Sequence, residues 1–371
     1  SMGIEKKGLT MVGKYIQGPD TIHSLAEYVQ DFGKSALLII DTFFYKKLKN
    51  DLEEKFREKN IDVKFLEFSE EITIEKITAY TQEAKMGFDM VVGIGGGKTM
   101  DSAKAVAEYA KIFCVIVPTT AASDAPCSSL SIIYQPEKKT RTILKCKRNP
   151  DMVLVDSRIV AQAPTRFIVA GIGDAMSTYY EMRANQDTNS ENFMPGGFYR
   201  TNLSVTIAEL CKNILLRDGK KAVLAAKEHI CTIALENVIE ANILLSGAGF
   251  ENTGCAGAHS ISAGLSAIPH SQEFLHGEKV AFGVLCQLVM ENRDMKEVEA
   301  VFDLFYCIGL PTTLADFQIG EGEENDMAKA IARKSLEGTF WKNEPFRVDE
   351  ERIYSAIIET DRINTVLKQN R

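Results

Sequence analysis

The chain has no Cys-x-x-Cys pair, no low-complexity tract and no long apolar run. Its eight cysteines (114, 127, 146, 211, 231, 255, 286, 307) lie mostly within apolar segments, so they read as reduced, buried small hydrophobes, neither a disulfide framework nor a thiolate zinc site. Apolar runs such as Ala36 to Ile40 and Met90 to Val92 fall far short of the ~20 residues that cross a bilayer, so no membrane association is expected. The opening residues Ser1 to Lys7 lack the apolar stretch of a signal peptide, and the Ser before Met2 reads as a cloning remnant. A cytoplasmic location is the expectation. Positive charge is in deficit: 43 Lys and Arg against 51 Asp and Glu leave a net charge of −8, with no basic stripe to meet a phosphate backbone. Nucleic acid is therefore not the expected partner.

What is present suits an ordinary globular enzyme, 45% apolar and 25% charged. At 371 residues the chain is long enough for two domains of roughly 150 to 200 residues. The first 120 residues alternate short β-rich runs (36–40, 63–67, 90–92, 113–117) with helical patterns near 46–59, near 75–86 and from Thr99. That alternation predicts an α/β, Rossmann-like domain with a parallel sheet whose strand ends converge on one ligand-binding edge. Residues 130–146 predict a hairpin about a turn at Gln135 to Lys139. After Val153 to Asp156 the pattern turns helical, with segments near 166–187, 200–217, 228–246 and 278–292. The expected division is residues 1–160 and 161–371, with the boundary between 157 and 163.

Gly95, Gly96 and Gly97 follow an apolar strand and precede Lys98, Thr99, Met100 and Asp101, which open a helix. Glycine lets a backbone approach a diphosphate, and a helix N-terminus offers unpaired N–H donors. The turn is either a pyrophosphate cradle or a plain strand-to-helix turn, since it matches neither the Walker loop nor the dinucleotide fingerprint. Asp41 ends the 37–40 strand, where a carboxylate can accept from ribose hydroxyls and repel a 2′-phosphate, favouring NAD; it can equally be a helix cap.

There are five histidines (23, 229, 259, 270, 276). His259 follows the small-residue run 254–258, and His276 stands where a helix is expected to begin. They are too far apart to share a helical turn, so each would reach a metal from a different element. Asp174, in Gly171-Ile172-Gly173-Asp174, is the candidate third ligand; catalytic zinc takes about three protein ligands and keeps a position open. Each histidine alone can instead be an ordinary surface or hydrogen-bonded residue, and Asp174 an N-cap.

Six ordered blocks, GGGKTMDSAKAVA (95–107), PTTAASDAPCSSLSIIY (118–134), NPDMVLVDS (149–157), RFIVAGIGDAMSTYYE (166–181), GAGFENTGCAGAHS (247–260) and HGEKVAFG (276–283), resemble the glycerol dehydrogenases of the iron-containing (group III) alcohol dehydrogenase superfamily over almost the whole chain. The resemblance implies a Rossmann-like domain and an all-α domain with NAD and a divalent metal between them. It implies that Asp174, His259 and His276 hold Zn2+ and that Asp124 contacts a substrate hydroxyl. It further implies that Asp41, Gly95, Gly96, Gly97, Lys98, Asp101, Thr119, Thr120, Ser128, Leu130 and Tyr134 lie at or near the cofactor. A homo-oligomer, often an octamer, is implied as well.

Two departures stand out. Thr178 occupies the place where the iron-using members have a fourth, histidine ligand, which favours a three-ligand zinc site. Ser262 occupies the place of a second active-site histidine found in many glycerol dehydrogenases. The expected reaction is NAD-dependent oxidation of glycerol to dihydroxyacetone. The alternatives are a 2-oxo acid or aldehyde reductase of the same superfamily, which Ser262 keeps open, and a dehydroquinate synthase-like lyase. The lyase would need a Lys, Arg and His cluster for its phosphorylated substrate, and the residues flanking His259 and His276 are mostly small, polar or apolar.

Overall fold

Four strands carry unbroken or nearly unbroken buried runs, the mark of a sheet covered on both faces. A computed structural model describes residues 4–69, 71–135, 137 and 140–371. Its main sheet is formed by β1 (Lys14–Gly18), β2 (Ser35–Asp41), β3 (Asp62–Phe68), β4 (Met90–Gly95), β5 (Phe113–Pro118) and β8 (Met152–Asp156), in the order β1-β8-β5-β4-β2-β3. Every pairing in it is parallel. β6 (Leu130–Gln135) and β7 (Thr140–Lys145) form a separate antiparallel pair, as the hairpin reading requires. Pro136, Lys138 and Lys139 of its turn lie outside the described residues, as do Ser1 to Gly3.

The chain passes from β2 to β3 on one side and returns to β4 on the other side of β2. Asp41 and Gly95 therefore end neighbouring strands at the reversal of strand order, where open α/β sheets bind ligands. Hydrophobic cores fill both faces of this sheet.

From Ser157 onward the described residues are helical or looped. The Thr165–Thr188 helix is buried on nearly every side, which suits its run of Ile, Val, Ala, Gly and Met. The segment Ile233–Thr253 is long and apolar enough, by length and composition, to cross a membrane, yet it packs inside the protein. Its Asn242 reaches Ala121 O (3.0 Å) and its Asn252 accepts from and donates to Thr10. Six of the cysteines are buried, whereas Cys231 is half-buried and Cys307 exposed.

Candidate active site

Three helices bring the proposed metal ligands together. Asp174 lies in the middle of the Thr165–Thr188 helix, fully buried, so it is no N-cap. His259 lies in the first turn of the Gly257–Gly264 helix, and His276 opens the His276–Met290 helix. The helices approach backbone to backbone. A Cβ on Gly277 would stand 1.8 Å from Ala170 O, and one on Gly283 would stand 2.3 Å from Ala258 O. Glycine is therefore required at both points for Asp174, His259 and His276 to meet.

Potential ligand atoms of all three residues lie within 4.8 Å of one another. Asp174 Oδ1 is 3.3 Å from His276 Nε2 and 3.7 Å from His259 Nε2, but has no hydrogen-bond partner and no access to water. Asp174 Oδ2 accepts from the Asp124 N–H (3.0 Å). Burial pushes the Asp174 carboxyl up, but the His276 and His259 imidazoles and the Asp124 N–H outweigh it and hold it at about 2. An ionised, buried oxygen facing two imidazole nitrogens is a donor set suited to a divalent cation.

His259 is oriented by a residue that the sequence reading passed over. Glu181, two helical turns beyond Asp174 on the same helix face, places Oε1 2.6 Å from His259 Nδ1. Its Oε2 accepts from the backbone N–H groups of Ala256 (2.6 Å) and His259 (3.1 Å). With Nδ1 turned to Glu181, Nε2 is the nitrogen that faces Asp174. Burial lowers the imidazole, but Cys255 and Glu181 raise it more, well above its ordinary value, so the position favours a cation, whether proton or metal. The next two N–H groups of this helix end are met by Glu344 (from Gly257, 3.0 Å) and Gln287 (from Ala258, 2.9 Å). A lone acidic residue in an apolar helical stretch, seven positions after Asp174, was the available signal for Glu181. Nothing local marks Gln287 or Glu344.

Asp124 stands beside this cluster. Its Oδ2 accepts from Ser246 Oγ (2.7 Å), which is 2.9 Å from Thr178 Oγ1. Burial first, and then the neighbouring Asp174 charge, raise the Asp124 carboxyl well above the ordinary range. Thr178 is thus part of a hydroxyl chain behind Asp124. Ser262 is buried one turn after His259.

The candidate cofactor residues lie in the α/β half. Gly95, at φ +155°, has no room for a Cβ, which would meet Asp41 Cβ and Thr99 Oγ1 at 2.8 Å each. Gly96 and Gly97 open the Gly97–Ala110 helix with nothing within 4 Å of their Cβ positions, leaving the backbone exposed to an approaching group. Asp41 does cap a helix, accepting from the Phe43 N–H (2.8 Å), and it also borders the glycine turn. Lys98 is exposed and ion-paired with Glu71. Asp101 lies further along the helix beside β6, pushed up to about 6 by burial. Thr119 is buried and donates its N–H to Gly95 O (3.2 Å), with Thr120 next to it. Ser128, Leu130 and Tyr134 follow on the loop and β6; Ser128 is buried and Tyr134 is held to Ile72 by its backbone.

Residues 13–157 match iron-containing alcohol dehydrogenases. Over a longer span, the glycerol dehydrogenase of Escherichia coli O6:H1 is 42% identical across 352 residues, 94% of this chain and 95% of that protein. The chain belongs to the iron-containing alcohol dehydrogenase family. Within it, the structural likeness is to glycerol dehydrogenases. A probable glycerol dehydrogenase from Sinorhizobium meliloti 1021 superposes with a TM-score of 0.88 at 39% identity, over 97% of this chain and 99% of that one. The glycerol dehydrogenase of Schizosaccharomyces pombe gives 0.92 at 31% identity, over 99% and 93%.

Proposed function

We propose that this protein oxidises glycerol, and related small vicinal diols, to dihydroxyacetone-type ketones with NAD, at a zinc site between residues 1–160 and 161–371. The observation that carries the reading is the unpartnered, buried Asp174 Oδ1 facing His259 and His276, with Asp124 beside it. Full-length similarity to glycerol dehydrogenases supports the choice of substrate.

Asp174, His259 and His276 would hold the metal, which supplies a Lewis acid that lowers the pKa of a bound hydroxyl. The 95–97 turn and Asp41 would hold NAD, which would supply the hydride acceptor. Glu181, at His259 Nδ1, turns the ring so that Nε2 faces Asp174. Ser246 and Thr178 fix the rotamer of Asp124, whose remaining oxygen can accept from a second substrate hydroxyl. The helices of Asp174 and His276, in backbone contact, keep the ligands from moving apart. A site built to hydrogen-bond a second hydroxyl disfavours alcohols that lack it, because the Asp124 oxygen not held by Ser246 would then lose that partner. The carboxylate of Asp41 disfavours a 2′-phosphate.

A substrate panel with NAD and NADP tests this. Glycerol and 1,2-propanediol should be oxidised with NAD in preference to 2-propanol, by about tenfold to a hundredfold in kcat/KM, the cost of leaving a polar group of the site unpaired. Equal rates for 2-propanol, or turnover of 2-oxo acids only, would remove the polyol reading.

A further inference from the structure

The segment from Asp124 to Leu130 carries the proposed hydroxyl contact and two of the proposed cofactor positions, yet its only regular structure is a short 3-10 turn at Ala125–Cys127 ahead of β6. Such a segment has no hydrogen-bond ladder of its own, so its backbone groups need partners from elsewhere. Two buried charged side chains supply them from opposite sides.

Lys104, 2% exposed, lies on the helix that begins at the glycine turn. Its Nζ donates to Ala125 O (2.6 Å), Leu130 O (3.0 Å) and Ser128 Oγ (3.3 Å), which occupies all three donors of an ammonium. Glu251, also 2% exposed, lies on the Ser246–Thr253 helix of the other half of the chain. Its Oε2 accepts from the Ser129 N–H (3.0 Å) and Ser129 Oγ (2.6 Å). Its Oε1 accepts from Asn149 Nδ2 (2.5 Å), and that amide also donates to Cys127 O (3.1 Å). Among the described residues, neither Lys104 nor Glu251 forms an ion pair. Burying a charge without an opposite partner is costly unless dipoles replace water, and here those dipoles belong to one short loop and to Asn149, which itself donates to that loop.

We propose, building on the polyol dehydrogenase reading, that Lys104 and Glu251 are positioning residues that clamp Asp124–Leu130 between the cradle helix and the helical half. The clamp sets where the Asp124 carboxylate stands relative to the metal ligands and where Ser128 and Leu130 stand relative to the cradle. Seating of the nucleotide and orientation of the polyol are thereby linked through one loop.

The test uses E251Q and K104M in the full-length, zinc-loaded protein. Glutamine keeps the shape of Glu251 but presents an NH2 where an acceptor is needed; methionine keeps much of the Lys104 stem without its donors. Each should lower kcat and raise the glycerol KM, with kcat/KM falling about tenfold to a hundredfold, the cost of a slightly misplaced orienting group. The double variant should be no worse than the worse single one, since both residues hold the same segment. Amide hydrogen exchange should speed up across residues 124–130 in both variants, while residues 174–181 keep wild-type protection. If K104M does not fold, E251Q alone carries both readouts. Wild-type kinetic constants or wild-type exchange across 124–130 in the folded variants would overturn the proposal. The exchange measurement needs no substrate, so a protein that oxidised no polyol would sink the earlier reading and leave the clamp to be judged separately.

Discussion

Glu181 Oε1 lies 2.6 Å from His259 Nδ1, and the other oxygen of the same carboxylate accepts the His259 backbone N–H. One side chain thus fixes both the orientation of the imidazole and the helix end that carries it. A metal-ligating histidine commonly depends on such a partner for ring orientation and basicity.

E181Q removes one acceptor and offers a donor in its place. Zinc affinity should fall about 10- to 100-fold, the usual cost of losing such a partner. Calorimetric titration of metal-free protein with zinc reads this directly. Wild-type affinity in the variant would show that Glu181 does no more than support the fold.

The glycine turn separates strain from ligand access. G95A forces a side chain into a φ of +155° and against Asp41 and Thr99, which should cost about 1–3 kcal/mol of stability. G96A meets nothing within 4 Å, and its φ of −85° suits any residue, so its unfolding temperature should match the wild type. Its NADH affinity should nevertheless fall roughly tenfold or more if the turn is the proposed pyrophosphate cradle, because the added methyl would stand in the approach. Fluorescence titration with NADH decides; unchanged affinity in G96A would place the nucleotide elsewhere.

Glu344 gives the protein a pH dependence of known sign. Burial first, and then the Glu291 and Glu181 charges, push its carboxyl from an ordinary 4.5 up to about 10. Across that interval the folded state binds a proton that the unfolded state has released, so stability falls as pH rises from 4.5 toward about 10. E344Q, neutral throughout, removes this contribution. Between about pH 6 and about pH 9 its unfolding free energy should decline less steeply than the wild type's, by up to ~1.4 kcal/mol per pH unit. Parallel curves would mean that Glu344 is ionised in the folded protein.

The sheet was legible because β2, β4, β5 and β8 are continuous apolar runs closed by turn residues. β1 (Lys14–Gly18) was not: as an edge strand with a lysine, a glutamine and no fully buried residue, it carries no such run. The helix read at 228–246 begins only at Ile233, after His229 in the left-handed region and the Thr232 cap, and a π turn at Ala241–Leu245 carries it on to Thr253. In the site, the two histidines stood out as a rare residue type, whereas Asp174 and the grouping of the three rested on the family resemblance. Glu181, Gln287 and Glu344 did not stand out, because each meets its partner through helix packing across 78, 29 and 87 residues. Side-chain partners at that separation leave no periodic or local pattern to read.

The most direct test follows NADH absorbance with glycerol and NAD in the wild type and His276→Ala, each stripped of metal by a chelator and then given zinc. The account expects wild-type turnover to vanish on stripping and return with zinc, and the variant to stay inactive in both states. Turnover that persists in stripped protein, or in the zinc-loaded variant, would contradict a site in which Asp174, His259 and His276 hold the catalytic metal.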